Sequence, residues 1–290
     1  MLEADPELPV PLRVRLILGR AAVQVIADRA GVDLLHIKGN AVDSTLREAS
    51  AVGTDIDILV EPRQVALLDH ELRRNGWRVY STFEWGSPFE HAQTYVHGVW
   101  GFLDLHRRFP GIRAAPEHAF AVLGAGSTTS DFAGTACRVP GVVEQAAILV
   151  LNAARGGAAV DMQSVWWDAT PERRDEIVRV IHALDARVAF GAATGDLERY
   201  RDERDYRLWK IVSGGGPRSA EWWARVRAAP TPRESVRIVW RAPLVNVEHL
   251  SHRIGRSPTR REIVTEFFAR PARAVRELWL RLSRGVQGTL

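Results

Sequence analysis

Two aspartates two positions apart, Asp55 and Asp57, are the side chains of this sequence that most directly suggest chemistry. They lie in the segment 54–60, where β-branched residues alternate with the acids, a pattern that predicts a strand. Side chains two positions apart on a strand point to the same face, so the two carboxylates project together. A buried pair of carboxylates needs a compensating positive charge, and a divalent cation such as Mg²⁺ commonly supplies it. The alternative is a solvated strand edge that carries two exposed acids.

A lysine and a glycine at the end of the preceding strand could bring a second binding element to the same place. Residues 32–37 are typical of a short buried strand, which ends at Lys38, Gly39 and Asn40, and a helix is expected over 41–48. Backbone N–H groups at the start of that helix and the lysine ammonium would together suit a phosphate. Lys38 could instead be a surface lysine or the ion-pair partner of one of the aspartates.

A third carboxylate, Asp104, follows on a later strand expected over 99–106, where it lies between two apolar neighbours. Three carboxylates on neighbouring strands can hold two Mg²⁺ ions about 3.5–4 Å apart, which clamp the attacking and leaving oxygens of an in-line phosphoryl displacement. His106 shares the face of Asp104 and could contact phosphate or orient the aspartate, and it could equally be a structural histidine. The sequence has no Walker loop, no G-x-G-x-x-G and no G-x-S-x-G after a strand.

With these motifs in this order, the sequence resembles the nucleotidyltransferases of the DNA polymerase beta-like superfamily, and more closely their branch of uncharacterised bacterial nucleotidyltransferases. The resemblance extends over residues 12–110 and continues more weakly into the C-terminal half. It is carried by His36-Ile37-Lys38-Gly39, the strand 54–60, Asn75-Gly76-Trp77 and Leu103-Asp104-Leu105-His106, and in the C-terminal half by residues 144–155 and Val160-Asp161-Met162.

The resemblance implies that Asp55, Asp57 and Asp104 are both the metal ligands and the catalytic residues of a two-metal site. In the superfamily the third of these carboxylates helps to bind the catalytic metal and can act as base toward the incoming hydroxyl. The implied cofactor is Mg²⁺, with two ions expected, and the implied substrate is a nucleoside triphosphate, with ATP as the expected one. The reaction would transfer a nucleoside monophosphate to an unidentified acceptor hydroxyl or phosphate and release pyrophosphate. The acceptor is open among a small molecule, a peptide, a protein and an RNA end.

Contacts with the nucleotide are expected from Lys38, Gly39, Asn40 and His106. Lys38 and Gly39 stand where many members of the superfamily have Gly-Ser, so the serine hydroxyl is missing and the lysine could replace it in holding the triphosphate. This departure, together with the lack of a visible acceptor motif, keeps a second interpretation open. In that interpretation the chain is a catalytically retired nucleotidyltransferase-like module that acts as a binding or antitoxin-type partner in a complex.

Helix and strand patterns intermix up to about residue 110 and indicate an α/β or α+β sheet with packed helices. The resemblance narrows this to α+β: a nucleotidyltransferase catalytic domain over residues 1–140 with a mixed sheet, followed by a mainly α-helical domain over 141–290. A hairpin over 131–139, with Gly134 in its turn, is expected near the junction. The first helix is expected over 12–30, and those of the C-terminal half over 142–154, 172–190, 197–212, 219–228, 232–240 and 258–282.

The composition of the 290 residues, 46% apolar and 26% charged, is ordinary for a soluble globular protein. No apolar run of membrane-spanning length and no signal-peptide pattern is visible in the sequence, which makes a cytoplasmic protein the expectation. The single cysteine, Cys137, excludes an internal disulfide and a multi-cysteine zinc site.

Positive charge is concentrated near the C-terminus. Residues 252–285 hold nine arginines and three glutamates, whereas the formal net charge of the whole chain is +4, so the basic balance does not mark the N-terminal half as a polyanion-binding surface. Residues 271–290 begin at a proline and have the pattern of a basic amphipathic helix. Its apolar face is expected to pack on the helical domain, and contact with an anionic membrane surface or a polyanionic acceptor is the alternative.

Overall fold

The computed structural model of the chain describes residues 10–47, 53–84, 89–156, 159–216, 218–229, 231–241, 254 and 258–269. Five of its strands are β1 (Leu34–Ile37), β2 (Asp55–Val60), β3 (Arg78–Ser81), β4 (Ala92–His97) and β5 (Gly101–His106). They form one sheet with the order β1-β2-β5-β4-β3. β2 and β5 are parallel and the other neighbouring pairs are antiparallel, so the sheet is mixed.

Two helices, α1 (Leu12–Ala30) and α2 (Val65–Arg74), pack on one face of this sheet. α1 spans the predicted range and ends at Gly31, whose φ of 67° is the left-handed conformation that suits glycine at a helix C-terminus. The strands contribute every second residue to the core beneath these helices, because side chains on a strand alternate between faces. These residues are Leu34, Ile56, Ile58, Val60, Leu103 and Leu105.

The opposite face of the sheet packs against α3 (Pro116–Ala125) and α4 (Val142–Ala153). Leu35, Ile37 and Leu59 belong to the core on this side. α4 is buried at every position from 145 to 151, so this helix lies inside the core. Asp55 and Asp57 have the same parity along β2 as Leu59, and their carboxylates therefore project on the α4 side of the sheet.

A hairpin of two further strands, β6 (Thr128–Phe132) and β7 (Thr135–Val139), separates α3 from α4 and has Gly134 in its turn, as predicted. In the described residues beyond Val139, helices and turns follow without a strand. The helices are α5 (Ala159–Met162), α6 (Pro171–Ala183), α7 (Arg187–Thr194), α8 (Tyr206–Ser213), α9 (Arg218–Ala228) and α10 (Pro232–Arg241), and residues 260–269 are also helical. A mixed sheet with packed helices, followed by a helical half, confirms the α+β fold class.

The segment after β1 differs from the helix expected over 41–48. A single 3-10 turn, Gly39–Ala41, follows the strand, and residues 42–47 form bends and turns. Asp43 explains the difference, because its carboxylate accepts hydrogen bonds from both the N–H and the hydroxyl of Thr45. Such local bonds from an aspartate side chain offer the backbone an alternative to the helix.

The same segment is fixed by partners in the helical half. The Gln145 side chain accepts a hydrogen bond of 2.7 Å from the N–H of Asp43, and Arg47 forms a two-point ion pair with the buried carboxylate of Asp161. These partners lie more than 100 positions away along the chain. The loop is therefore shaped by tertiary contacts that local sequence patterns do not contain.

Two of the helices expected in the C-terminal half are interrupted. The one expected over 172–190 is divided into α6 and α7, because Asp185 between them has a φ of 47°, outside the right-handed helical region. The one expected over 197–212 consists of a 3-10 turn, Leu197–Tyr200, and then α8.

Part of the expected C-terminal structure lies outside the described residues. Of the helix expected over 258–282, residues 260–269 are helical, and the basic segment 271–290 is not among the residues described. No helix in the described part of the chain combines the length and apolar character needed to cross a membrane.

Candidate active site

The register of β2 and β5 brings two of the aspartates side by side. Asp57 lies directly opposite Asp104 across this parallel pair, and Asp55 precedes Asp57 by two residues on the same face. On the other side of β5, Thr94 lies opposite Asp104, and its hydroxyl donates a hydrogen bond of 2.6 Å to Oδ1 of that carboxylate. The three acids that the sequence singles out are thus brought together on one face of the sheet.

Asp57 is the buried centre of this cluster and has two partners on the same oxygen. The Lys38 ammonium lies 2.6 Å from Oδ1 of Asp57, and Nε2 of His106 lies 2.9 Å from the same atom. Burial by itself would raise the pKa of Asp57, but the Lys38 charge and the His106 hydrogen bond outweigh it and lower the pKa well below its usual range. Because an ionised carboxylate only accepts hydrogen bonds, Nε2 of His106 must carry the donated proton.

Asp55 is in a different electrostatic state from its neighbour. Burial and the charges of Asp57 and Asp104 raise the pKa of Asp55 from 3.8 to about 6, against the weaker opposing effects of Lys38 and Arg20. Three carboxylates therefore share a space in which the nearest ammonium pairs directly with only one of them. This is the charge pattern expected where a cationic ligand binds.

A buried arginine, Arg20 on α1, lies behind the site and was not identified from the sequence. Its guanidinium donates a hydrogen bond of 3.0 Å to the carbonyl of Lys38 and one of 3.3 Å to the carbonyl of Asp57. Burial lowers the pKa of Arg20 to about 10, so the side chain keeps its charge at neutral pH. The only sequence signal is a charged residue among the apolar positions of a helix, and this signal does not tell which groups it contacts.

The backbone at Lys38 and Gly39 is adapted to this arrangement. Both residues have positive φ angles, 54° at Lys38 and 53° at Gly39. A Cβ atom at Gly39 would lie 3.0 Å from Nη2 of Arg20, so a side chain at this position would push against the buried guanidinium. The helix that was expected to present N–H groups to a phosphate is replaced by one 3-10 turn, so the prediction of that helix is wrong. A phosphate contact at Lys38 and Gly39 stays a prediction.

The remaining expected nucleotide contacts, Asn40 and His106, differ in accessibility. Nδ2 of Asn40 is buried and has no hydrogen-bond partner in the described part of the chain, whereas the residue as a whole is half-buried. His106 is fully buried between Asp57 and the ring of His91, whose centroid is 5.1 Å away. Asn40 therefore has a donor to offer a ligand, and His106 acts through Asp57.

A further cation, Arg155, lies just after α4 on the same side of the sheet. Burial lowers the pKa of Arg155, and the charges of Asp57 and Asp104 oppose that shift, which places the guanidinium within the field of the acids. Residue 155 lies at the end of the C-terminal block that carries the family resemblance, but no pattern in the sequence indicates a specific role for it.

The donor set of the site fits a divalent cation. Possible ligand atoms of Asp57, Asp104 and His106 lie within 4.8 Å of one another. Because Nε2 of His106 donates its proton to Asp57, the carboxylates are the ligands available to a metal. Asp55 adds a carboxylate with a raised pKa on the same face. Carboxylate oxygens are the ligands preferred by hard cations such as Mg²⁺, and the unpartnered Asn40 donor could serve a ligand or a water bound beside them.

Comparison with known proteins gives low-level structural similarity. No protein-family model matches the chain, and no curated protein matches it. Among solved structures, the chain is similar to the antibiotic-resistance factor ANT(2'')-Ia, with 14% identity, 67% of this chain and 96% of that one covered, and a TM-score of 0.39.

Two other solved structures have similar sequence identities and TM-scores to this chain. The lincosamide antibiotic adenylyltransferase LnuA has 14% identity, coverage of 55% of this chain and 92% of its own, and a TM-score of 0.32. An antigenic nucleotidyltransferase-like protein from Paracoccidioides brasiliensis has 12% identity, coverage of 61% and 93%, and a TM-score of 0.38. What this chain does must be inferred from its own residues.

Proposed function

We propose that this chain is a metal-dependent nucleotidyltransferase, which transfers a nucleoside monophosphate from a nucleoside triphosphate to an acceptor hydroxyl or phosphate. The observation that carries the proposal is the pairing of Asp57 with Asp104 across parallel strands, with Asp55 on the same face. ATP is the expected nucleotide and Mg²⁺ the expected cofactor. The catalytic unit is assigned to residues 1–140, and residues 141–290, which are expected to form a mainly α-helical domain, are assigned to the acceptor side.

The three aspartates would hold two metal ions, which is the number that phosphoryl transfer commonly uses. When bound, the metal would neutralise negative charge on the phosphate oxygens and on the leaving pyrophosphate. The raised pKa of Asp55 supports this assignment, because the protein alone does not fully compensate the cluster. Asp55 would bind metal as a carboxylate, and the metal's charge would favour loss of its proton.

In the proposed reaction an acceptor hydroxyl oxygen attacks the α-phosphorus of the nucleotide. The new bond joins this oxygen to phosphorus, the bond from phosphorus to the bridging oxygen of the β-phosphate breaks, and pyrophosphate leaves with that electron pair. Asp104 is assigned as the base that accepts the hydroxyl proton, as the family resemblance implies. The hydrogen bond from Thr94 holds the Asp104 carboxylate in one orientation for this role.

The nucleotide phosphates would be held by Lys38 and by the Nδ2 donor of Asn40, with Gly39 allowing the close backbone approach. His106 is assigned a positioning role, since it is buried and its hydrogen bond fixes the carboxylate of Asp57. Arg155 brings a cation from the helical half toward the acids and supports the assignment of that half to substrate binding.

The test is pyrophosphate release measured with each of the four nucleoside triphosphates, Mg²⁺ and a panel of hydroxyl acceptors. We expect the wild-type protein to release pyrophosphate from at least one of them and Asp104→Asn to be slower by a factor of about 10³ or more, because the variant loses a metal ligand and base. Asp175→Asn, an exposed position on α6, is the matched control and should keep the wild-type rate. Equal rates for wild type and Asp104→Asn would show that the site is misassigned.

A second candidate function is a catalytically retired binding module. The observation that favours it is that Lys38 and His106 both occupy the same oxygen of Asp57. A carboxylate satisfied in this way needs no metal. This reading requires that neither Mg²⁺ nor a nucleoside triphosphate binds at millimolar concentration, which isothermal titration calorimetry measures directly.

A further inference from the structure

Lys38 has a backbone conformation that side-chain-bearing residues rarely adopt. Its φ of 54° and ψ of −175° lie in a region that is essentially restricted to glycine. The strained conformation is held from two sides: Arg20 donates a hydrogen bond of 3.0 Å to the Lys38 carbonyl, and the N–H of Ala41 donates one of 3.1 Å to the same oxygen. Strain that is held in place in this way is typical of functional sites.

The strained backbone places the lysine ammonium on the most buried carboxylate of the site. Nζ of Lys38 is 2.6 Å from Oδ1 of Asp57, and the two side chains are only 16% and 4% exposed. The Phe109 ring lies 6.0 Å from the ammonium, so the pair has an apolar surface on one side. A divalent cation that binds Asp57 through this oxygen needs the space that the ammonium fills.

The other two acids are not neutralised in the same manner. Thr94 satisfies Asp104 with a neutral hydroxyl, and Asp55 has no ion pair in the described part of the chain. Lys38 therefore compensates one carboxylate of three and leaves the remaining two for an external cation. A lysine stem with four rotatable bonds can move its ammonium away from Asp57 without a change of the backbone.

We propose that Lys38 is a displaceable internal cation, which occupies the metal position on Asp57 until a divalent ion replaces it and then turns to the phosphates of the nucleotide. The inference rests on the proposed function, because it takes Asp57 as a metal ligand. The Lys38 ammonium then has two opposite effects on affinity. It weakens the binding of the metal alone and strengthens the binding of a polyphosphate together with the metal. A merely structural lysine would not move the two affinities in opposite directions.

The experiment compares wild type with Lys38→Met, which keeps the apolar stem, and Lys38→Gly, which also relieves the positive φ. Free Mn²⁺ is measured by electron paramagnetic resonance during titration of each protein, and inorganic triphosphate is then titrated calorimetrically at saturating Mn²⁺. Inorganic triphosphate is used because its binding does not depend on the identity of the base. Lys210→Met is the control, since Lys210 is the other lysine of the chain and forms an exposed ion pair with Glu198.

Both Lys38 variants should bind Mn²⁺ about tenfold more tightly than wild type, because an uncompensated buried carboxylate gains more from the metal. Both should bind the triphosphate about tenfold more weakly, and Lys210→Met should change neither affinity. Circular dichroism checks that each variant is folded. If Lys38→Met does not fold, the comparison with wild type is made with Lys38→Gly.

The outcomes separate the inference from the proposed function. If wild type binds Mn²⁺ and triphosphate but the folded Lys38 variants bind Mn²⁺ equally or more weakly, the internal-cation role is wrong and the proposed function stands. If neither wild type nor the Lys38 variants bind Mn²⁺, the metal site itself is wrong and the inference falls with it. Binding of Mn²⁺ by the Lys38 variants but not by wild type would support the inference, since it would show that the ammonium blocks the site.

Discussion

Asp55 is the carboxylate that this fold holds at a cost in stability. Burial and the charges of Asp57 and Asp104 raise its pKa from 3.8 to about 6. A shift of that size corresponds to about 3 kcal/mol of unfolding free energy when the charge is fully buried. Because the Asp55 side chain is partly exposed, solvent screening lowers this cost to about 1–2 kcal/mol. Asparagine has nearly the same volume without the charge, so Asp55→Asn should stabilise the metal-free protein by that amount at neutral pH.

The pH dependence of this gain follows from the sign of the pKa shift. The folded state binds the Asp55 proton more tightly than the unfolded chain, because the folded pKa is the higher of the two. The contribution of Asp55 to stability therefore decreases as the pH rises from about 4 to about 6 and is constant above that range. The advantage of Asp55→Asn over wild type should grow over the same interval.

Urea unfolding in the presence of EDTA, followed by circular dichroism at about pH 4.5 and about pH 7.5, measures this effect. At pH 7.5 the melting temperature of the variant should be about 2–6 °C above that of wild type. At pH 4.5 its gain in unfolding free energy should be about one third of the gain at about pH 7.5. Asp175→Asn, which removes an exposed acid on α6, should show no such difference. A variant that is less stable than wild type at pH 7.5, or an equal gain at both pH values, would refute the electrostatic reading of the cluster.

Two further predictions concern buried cations, one behind the site and one on α9. Arg20→Met should lower the unfolding free energy by about 2–4 kcal/mol, measured by urea unfolding, because the carbonyls of Lys38 and Asp57 each lose the hydrogen bond donated by the buried guanidinium. Glu90→Gln should lower it by about 3 kcal/mol in the same assay, because the buried guanidinium of Arg225 loses its ionised partner at 3.2 Å.

The control for both is an exposed ion pair on α2. Glu71→Gln breaks the pair with Arg74 and should change the unfolding free energy by less than about 0.5 kcal/mol. If Arg20→Met were as stable as this control, the guanidinium would have no part in holding the strained turn at Lys38. A neutral effect of Glu90→Gln would likewise contradict the view that its carboxylate compensates the buried guanidinium of Arg225 on α9.

Local patterns were sufficient for the elements that carry the acids. Alternation in segment 54–60 predicts β2, and the apolar neighbours of Asp104 predict β5. The turn glycine Gly134 and the helix-ending Gly31 are also where the sequence indicates, because positive φ angles are a strong local requirement. These features depend on residues only a few positions apart.

Features that depend on distant partners could not be predicted in this way. The loop after β1 fails to become a helix partly because Arg47 is bound by Asp161, 114 positions away. Arg20 reaches the carbonyl of Asp57, 37 positions away, and nothing in the helix pattern of α1 indicates this contact. The ion pair of Lys38 with Asp57 was one of the open alternatives, and only the geometry of the strands selects it.

The most direct test of a metal-dependent nucleotidyltransferase site is a crystal structure with Mn²⁺ and a non-hydrolysable ATP analogue, with the metal located by anomalous scattering. We expect anomalous peaks in direct coordination to Asp55, Asp57 and Asp104, with the Lys38 ammonium moved from Asp57 to a phosphate oxygen. Peaks at other residues, or no peak at saturating Mn²⁺ with Lys38 still paired to Asp57, would contradict it.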